Sequence, residues 1–158
     1  MPRVLILYYS QTGNTQKMAQ AIAEAMKSEG CAVDVRHPGE VKAEAFRDYD
    51  VLIIGSPTYY GTMAWELKKL LDESVAFHGS LDGKLGGAFS SAANIGGGNE
   101  TTILDIVNAL LIHGMVVQGD PSGDHYGPVS IGRPDTRSTR QCTRYGKRMA
   151  VFAKRLFP

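Results

Sequence analysis

The sequence predicts a doubly wound α/β fold: a three-layer α/β/α sandwich around a five-stranded parallel sheet of order 2-1-3-4-5. Three observations predict it. Short continuous apolar runs alternate with segments of helical periodicity, the pattern of strands buried on both faces and joined by crossover helices. The chain has 158 residues, enough for one domain spanning 1–158 and too few for two. Five strands at that length fit the smaller doubly wound order, whose ligands sit beyond the carboxyl ends of the strands at the switch point.

Val4-Leu5-Ile6-Leu7-Tyr8 is an unbroken, partly β-branched run and reads as a central strand. Met18, Ile22, Ala25 and Met26 then recur at spacings of four and three, one face of a helix that stops near Gly30. Val33 and Val35 alternate with Asp34 and Arg36, as in an edge strand. Residues 37–49 are polar and hold at most a helical turn around 43–46. Val51-Leu52-Ile53-Ile54 is the next buried strand, closed by Gly55-Ser56-Pro57. Leu67, Leu70 and Leu71 mark a helix beginning near Met63. Leu85 to Phe89 is a buried strand softened by Gly86 and Gly87. Ile103, Ile106, Val107, Leu110 and Leu111 form an apolar helix, and Met115-Val116-Val117 a short last strand. Residues 119–137, rich in Gly, Pro, Asp and Ser, read as one long loop. Tyr145, Met149, Phe152 and Leu156 stripe a terminal helix whose other face is basic and solvated.

Composition excludes several classes. Hydrophobic residues are 43% and charged residues 21%, so the chain is not mainly disordered. Seventeen basic against sixteen acidic residues leave a net charge of +1, which gives no reason to expect nucleic-acid binding. No apolar run reaches the ~20 residues of a membrane span, and the N-terminus has no signal-peptide pattern. Cys31 and Cys142 form no metal or redox motif, as expected of a reduced cytoplasmic setting.

Three loops carry the candidate chemistry. Ser10-Gln11-Thr12-Gly13-Asn14-Thr15 lies between a buried strand and a helix. Backbone N–H groups and a helix dipole there bind an anion such as phosphate without a cation, and the hydroxyls add donors. No Gly-Lys-[Ser/Thr] is present, so this is not a nucleoside-triphosphate loop. A plain helix cap, with Asn14 or Thr12 as the capping residue, is the competing reading. After the third strand come Pro57, Thr58, Tyr59, Tyr60 and Gly61. Two adjacent tyrosines in a loop suit a flat aromatic ligand, although one of them could pack on the core. After the fourth strand, Ser91, Ala92, Ala93, Asn94, Ile95, Gly96 and Gly97 offer a small-residue backbone edge able to read a planar heterocycle. A flexible loop is the alternative. No nucleophile–base triad and no metal-ligand cluster is evident.

These motifs resemble the flavodoxin-like FMN proteins. They are most similar to the WrbA-type NAD(P)H:quinone oxidoreductases, of which this chain would be a short form. The resemblance rests on Leu-Tyr-Tyr-Ser at 7–10, Gly-Ser-Pro-Thr-Tyr-Tyr-Gly-Thr-Met at 55–63 and Gly-Gly-Gly-Asn-Glu-Thr-Thr-Ile-Leu at 96–104. His-Gly-Met at 113–115, Tyr126-Gly127 and Arg144-Tyr145-Gly146 extend it. It implies FMN as cofactor, its phosphate on residues 10–15, Thr58, Tyr59 and Tyr60 against the isoalloxazine, and residues 91–97 along the pyrimidine side. His113 matches a histidine that in that family reaches a flavin across a subunit interface, which implies a homo-oligomer.

The implied activity is NAD(P)H-dependent reduction of a small quinone. The alternative is an electron carrier between redox proteins, and a receiver-like phosphate-binding domain is a remote third reading. This chain lacks the longer segments of the quinone reductases around 37–49 and 119–128. It also lacks the acidity of typical flavodoxins. No carboxylate falls within residues 55–63 or 90–99, and Glu100, Asp120 and Asp124 are the expected neighbours.

Overall fold

The computed structural model describes residues 1–158. Strands β1 (Arg3–Tyr8), β2 (Ala32–Arg36), β3 (Val51–Pro57), β4 (Leu85–Ala92), β5 (Val116–Val117) and β6 (Val129–Ile131) form one parallel sheet. The path is β2-β1-β3-β4-β5, and β6 also pairs with β4. Val4 to Tyr8 face Val51 to Gly55, and Val51 to Pro57 face Leu85 to Ser91. Helices α1 (Asn14–Ser28), α2 (Trp65–Glu73), α3 (Asn99–Ile112) and α4 (Thr136–Leu156) cover the faces.

Alternation along the central strands builds two cores. Leu5, Leu7, Leu52 and Ile54 point toward α2 and α3, packing with Leu67, Ile103, Ile106 and Leu110. Val4, Ile6, Val51 and Ile53 point the other way, onto Met18, Ile22 and Met26 of α1 and Tyr145 and Met149 of α4. The predicted order and strand polarity hold.

Several boundaries move. The last edge strand is in two pieces: β5 pairs with Leu85 and Gly86, β6 with Ser90 to Ala92. The predicted loop 119–137 therefore contains a strand, and the true excursion is 118–128. The stretch 37–49 holds two 3₁₀ turns, Pro38–Glu40 and Ala43–Asp48. Helix α2 starts at Trp65, two residues later than predicted. Trp65 and Leu111 are exposed and Phe77 is core, so the apolar stripe of α3 is Ile103, Ile106 and Leu110. In the terminal helix Leu156 faces solvent, and Cys142, Ala150 and Ala153 complete the buried face. Both cysteines are buried and unpaired, and no helix is long and apolar enough to cross a membrane.

The glycines of β4 have a packing reason. A methyl group at Gly87 would overlap the Tyr145 hydroxyl, and one at Gly86 would press on Leu110. Tyr145 is fully enclosed above that gap, and burial pushes its phenol above the usual range.

Candidate functional site

The loops after β1, β3 and β4 meet beyond the carboxyl edge of the sheet. Helix α1 begins at Gly13, with φ 92° and no side-chain cap, in place of the predicted Asn14 or Thr12. Helix α3 likewise begins at a glycine, Gly98, without a side-chain cap. Helix α4 is different: the Asp135 carboxylate accepts the Ser138 N–H at 2.7 Å. The first amides of a helix have no intrahelical acceptor, and the dipole makes that end positive. No acid occupies the first turn of α1. Its start is thus a bare donor set suited to an anion. Ser10 Oγ accepts the Gly13 N–H at 3.0 Å and shapes the turn, while Gln11 and Thr12 are exposed. The Thr15 hydroxyl, predicted to face an anion, is buried and bonded to Ser91 Oγ at 2.9 Å. It pins the loop to β4, because a buried hydroxyl takes the partner its packing supplies.

The second loop closes as a tight turn. Tyr59 and Thr62 exchange backbone hydrogen bonds at 3.0 and 3.1 Å. Between them Tyr60 (φ 50°) and Gly61 (φ 78°) are both left-handed, the type I′ pattern. Tyr60 is the sole non-glycine residue with positive φ, and it is fully exposed. A left-handed non-glycine residue costs ~1–2 kcal/mol, and such strain concentrates at ligand clamps. Helix α3 holds the turn in place: Thr101 Oγ1 donates to the Gly61 carbonyl at 2.7 Å, and Asp105 accepts from the Thr62 hydroxyl and, at 3.3 Å, from the Met63 N–H. Tyr59 donates to Gln11 Oε1 at 3.1 Å, which ties the first loop to the second, and its ring meets Tyr9 edge-on. Replacing Tyr60 by asparagine should raise the stability of the ligand-free protein by up to ~1 kcal/mol, because Asn tolerates this backbone. A chemical-denaturation midpoint that falls instead would show that the Tyr60 ring contributes contacts that outweigh the strain.

The third loop joins through hydroxyls. Thr58 Oγ1 lies 3.0 Å from Ser90 Oγ and accepts from Thr102 Oγ1 at 3.1 Å. The Thr58 N–H donates to the Ser91 carbonyl at 2.7 Å. Ser91 and Ala92 are buried at the end of β4, whereas Ala93, Asn94, Ile95 and Gly96 are exposed. Gly97 N–H returns to the Asn94 carbonyl at 3.1 Å, which makes the segment a turn. All three loops therefore share one rim.

The charge around the rim differs from the sequence reading. Asp120 is spent on Arg144 through bonds of 2.8 and 3.0 Å, and Asp124 is paired with Arg137. The Arg144 guanidinium beside Asp120 holds its carboxyl down at about 2. Two acids that sequence spacing did not single out stand beside the tyrosines. One is Asp105, on the Thr62–Met63 backbone. The other is Glu66, whose Oε2 is buried without a partner. Burial and then the Glu66 charge raise the phenols of Tyr9 and Tyr59. The available signal was Glu66 in the first turn of the helix after the tyrosine loop.

His113 is not brought to this rim within the chain. It follows the C-terminal end of α3, at the other end of the sheet. Its Nε2 lies 2.7 Å from Ser74 Oγ, and its ring stacks on Phe77 near His78. His125 bonds the Asp120 carbonyl at 2.7 Å, and its neighbour Tyr126 is exposed. Burial and then His78 lower the His113 pKa, and Nδ1 has no partner. A depressed folded-state value means that the unfolded chain binds more protons. The stability that neutral His113 contributes is complete above the unfolded value of about 6.5 and is lost as pH falls through the lower folded value. The urea midpoint should drop between pH 7.5 and 5 in the native protein and less in His113→Gln. Equal drops would assign the effect to other groups.

Residues 5–92 match the family description "Flavodoxin domain". The chain belongs to the flavodoxin family. It is 38% identical over 161 residues to a flavodoxin of Aquifex aeolicus, covering 96% of this chain and 87% of the relative. It is 32% identical over 190 residues to an NAD(P)H dehydrogenase (quinone) of Archaeoglobus fulgidus, covering 99% and 100%. A flavodoxin, WrbA-like protein from Agrobacterium tumefaciens superimposes with a TM-score of 0.83 at 24% identity, over 98% of this chain and 99% of that one. The flavodoxin family implies FMN as the cofactor. The rim fits it in kind: the uncapped start of α1 suits a terminal phosphate, the exposed Tyr60 turn a flat ring, and the exposed backbone at 93–97 a ring's polar edge.

Proposed function

We propose that this flavodoxin-family protein is an FMN-dependent oxidoreductase that passes electrons from NAD(P)H to quinone-like acceptors. Residues 10–15 would hold the phosphate, Pro57 to Gly61 one face of the ring system, and Ser91 to Gly97 its edge. The bound flavin supplies the redox chemistry, and the chain supplies position, exposure and field. The observation that carries this reading is the open rim: Tyr60 on the second loop and Ile95 on the third stand almost entirely in solvent. A small acceptor or a nicotinamide can approach a ring held between them. The Tyr59 to Thr62 turn, fixed by Thr101 and Asp105, sets how close that approach is.

A second reading is a carrier that exchanges electrons with protein partners. Glu66 and Asp105 beside the tyrosines favour it, since added negative charge on a nearby ring is disfavoured by like charge. In either case the partners are a quinone-like molecule or a redox protein. His113 would meet a flavin only across an interface between copies of the chain. The test is steady-state NADH and NADPH oxidation with a quinone, beside an anaerobic reductive titration of the FMN-loaded protein. Quinone-dependent turnover with reduction in one two-electron step supports the oxidoreductase. Two well-separated one-electron steps without pyridine-nucleotide oxidation identify a carrier.

A further inference from the structure

Helix α4 carries seven of the seventeen basic residues and no acid, while the rest of the chain holds ten basic against sixteen acidic residues. A net charge of +1 thus conceals a strongly polarised molecule. The basic helix shares one sheet face with α1, and most acids lie elsewhere. Like charges four residues apart, as Arg140, Arg144 and Arg148 are, disfavour a helix. The fold relieves part of this: Asp120 binds Arg144 and approaches Arg148 at 3.5 Å, and Asp124 binds Arg137. Arg140 and Lys147 have no ion-pair partner.

Both residues line a groove of about 960 Å³ along the N-terminal half of α4, with Thr139, Thr143, Arg144 and Arg148. None of its nine lining residues is hydrophobic, and its one acid, Asp135, is engaged in capping the helix. Asp135 also lines a neighbouring cleft of about 300 Å³ with Ile95, Gly96 and Arg137. The groove, which extends to the middle of α4, thus meets at Asp135 a second cleft lined by Ile95 and Gly96 of the third loop.

We propose that the α4 groove docks the acidic surface of a one-electron redox protein. The proposal rests on the FMN reading. In the docked complex the partner's reduced centre would give up one electron and FMN held by the rim would accept it, with no group transferred. Charge complementarity to Arg140, Lys147 and their neighbours selects an acidic occupant. A protein is favoured over nucleic acid because the groove offers no aromatic platform for bases and the rest of the chain repels an extended polyanion. Steered association of this kind weakens steeply with salt.

The probe is a plant-type ferredoxin, an acidic iron–sulfur protein and strong reductant. Calorimetry measures binding of oxidised ferredoxin, and stopped-flow mixing measures electron transfer from its reduced form to the oxidised, FMN-loaded protein. Both should be strongest at low ionic strength. The double substitution Arg140→Glu with Lys147→Glu should lower affinity and second-order rate at least tenfold, and the double Gln variant less. Lys68→Glu with Lys69→Glu on α2, the same change in net charge, should alter either by less than threefold. Equal losses in the two Glu variants overturn the proposal, as does absence of binding in the native protein. So does tighter binding of duplex DNA that the α4 substitutions abolish. If the protein takes up no FMN, the rates vanish while calorimetric binding and its dependence on Arg140 and Lys147 still decide the groove's role.

Discussion

Gly127→Ala should destabilise the protein by ~3–5 kcal/mol, the sum of backbone strain and overlap with an immovable neighbour. Gly127 sits at φ 144°, buried, just before β6, and its N–H donates to the Asp124 carbonyl at 3.1 Å. A methyl group there would overlap the backbone carbonyl oxygen of Ala88, in the middle of β4. No rotamer change relieves a clash with backbone. Either β6 leaves β4 or the turn at 124–127 opens. Gly30→Ala is the control, since it also has positive φ but open space around it, so strain alone applies, at ~1–2 kcal/mol. At this chain length each kcal/mol moves Tm by ~2–4 °C, so a difference of ~1–4 kcal/mol should place Gly127→Ala at least ~2 °C below Gly30→Ala in calorimetry. Similar Tm values would mean that β6 contributes little to the cooperative unit.

Thr12→Asp should weaken FMN binding by at least ~100-fold with little effect on stability. Thr12 is exposed in the turn before α1, where the proposed phosphate meets the uncapped amides. Two unit charges 4 Å apart near a protein surface interact by ~4 kcal/mol, and a phosphate carries nearly two. Repulsion therefore exceeds anything a lost hydroxyl donor could add. Thr12→Ser keeps the hydroxyl and should bind within a few-fold of the native protein. Fluorescence titration of the apoprotein with FMN measures both. Unchanged affinity in Thr12→Asp, with the fold intact, would move the phosphate away from residues 10–15.

Legibility in the sequence followed the range of the interactions. Val4 to Tyr8, Val51 to Ile54 and Leu85 to Phe89 announce buried parallel strands because both faces of each are apolar. The helix stripes of α1 and α3 show through because their period lies within a few residues. The three loops could be picked out because they follow those strands. The split edge strand could not: β5 is two residues long and β6 three, too short for any side-chain period, and both exist by backbone bonding to β4. The capping residue of α1 also escaped, since hydroxyl and amide side chains at 10–15 all suit a cap, and packing sent that of Thr15 to Ser91 instead.

By itself, then, the sequence determined the fold class, the strand order and the family, all of which rest on local periodicity and contiguous motifs. The tertiary structure alone decided which groups face the rim. It put Tyr60 into solvent on a left-handed backbone, brought Glu66 and Asp105 to the tyrosines, neutralised Asp120 and Asp124 with arginines, and left His113 at the far end of α3. It also gave Gly86 and Gly87 a purpose, as the space into which Leu110 and Tyr145 fit. The physical reason is common to these cases. Periodicity fixes which way a side chain points relative to its own element, but the neighbour it meets comes from a distant part of the chain, and only packing chooses that neighbour.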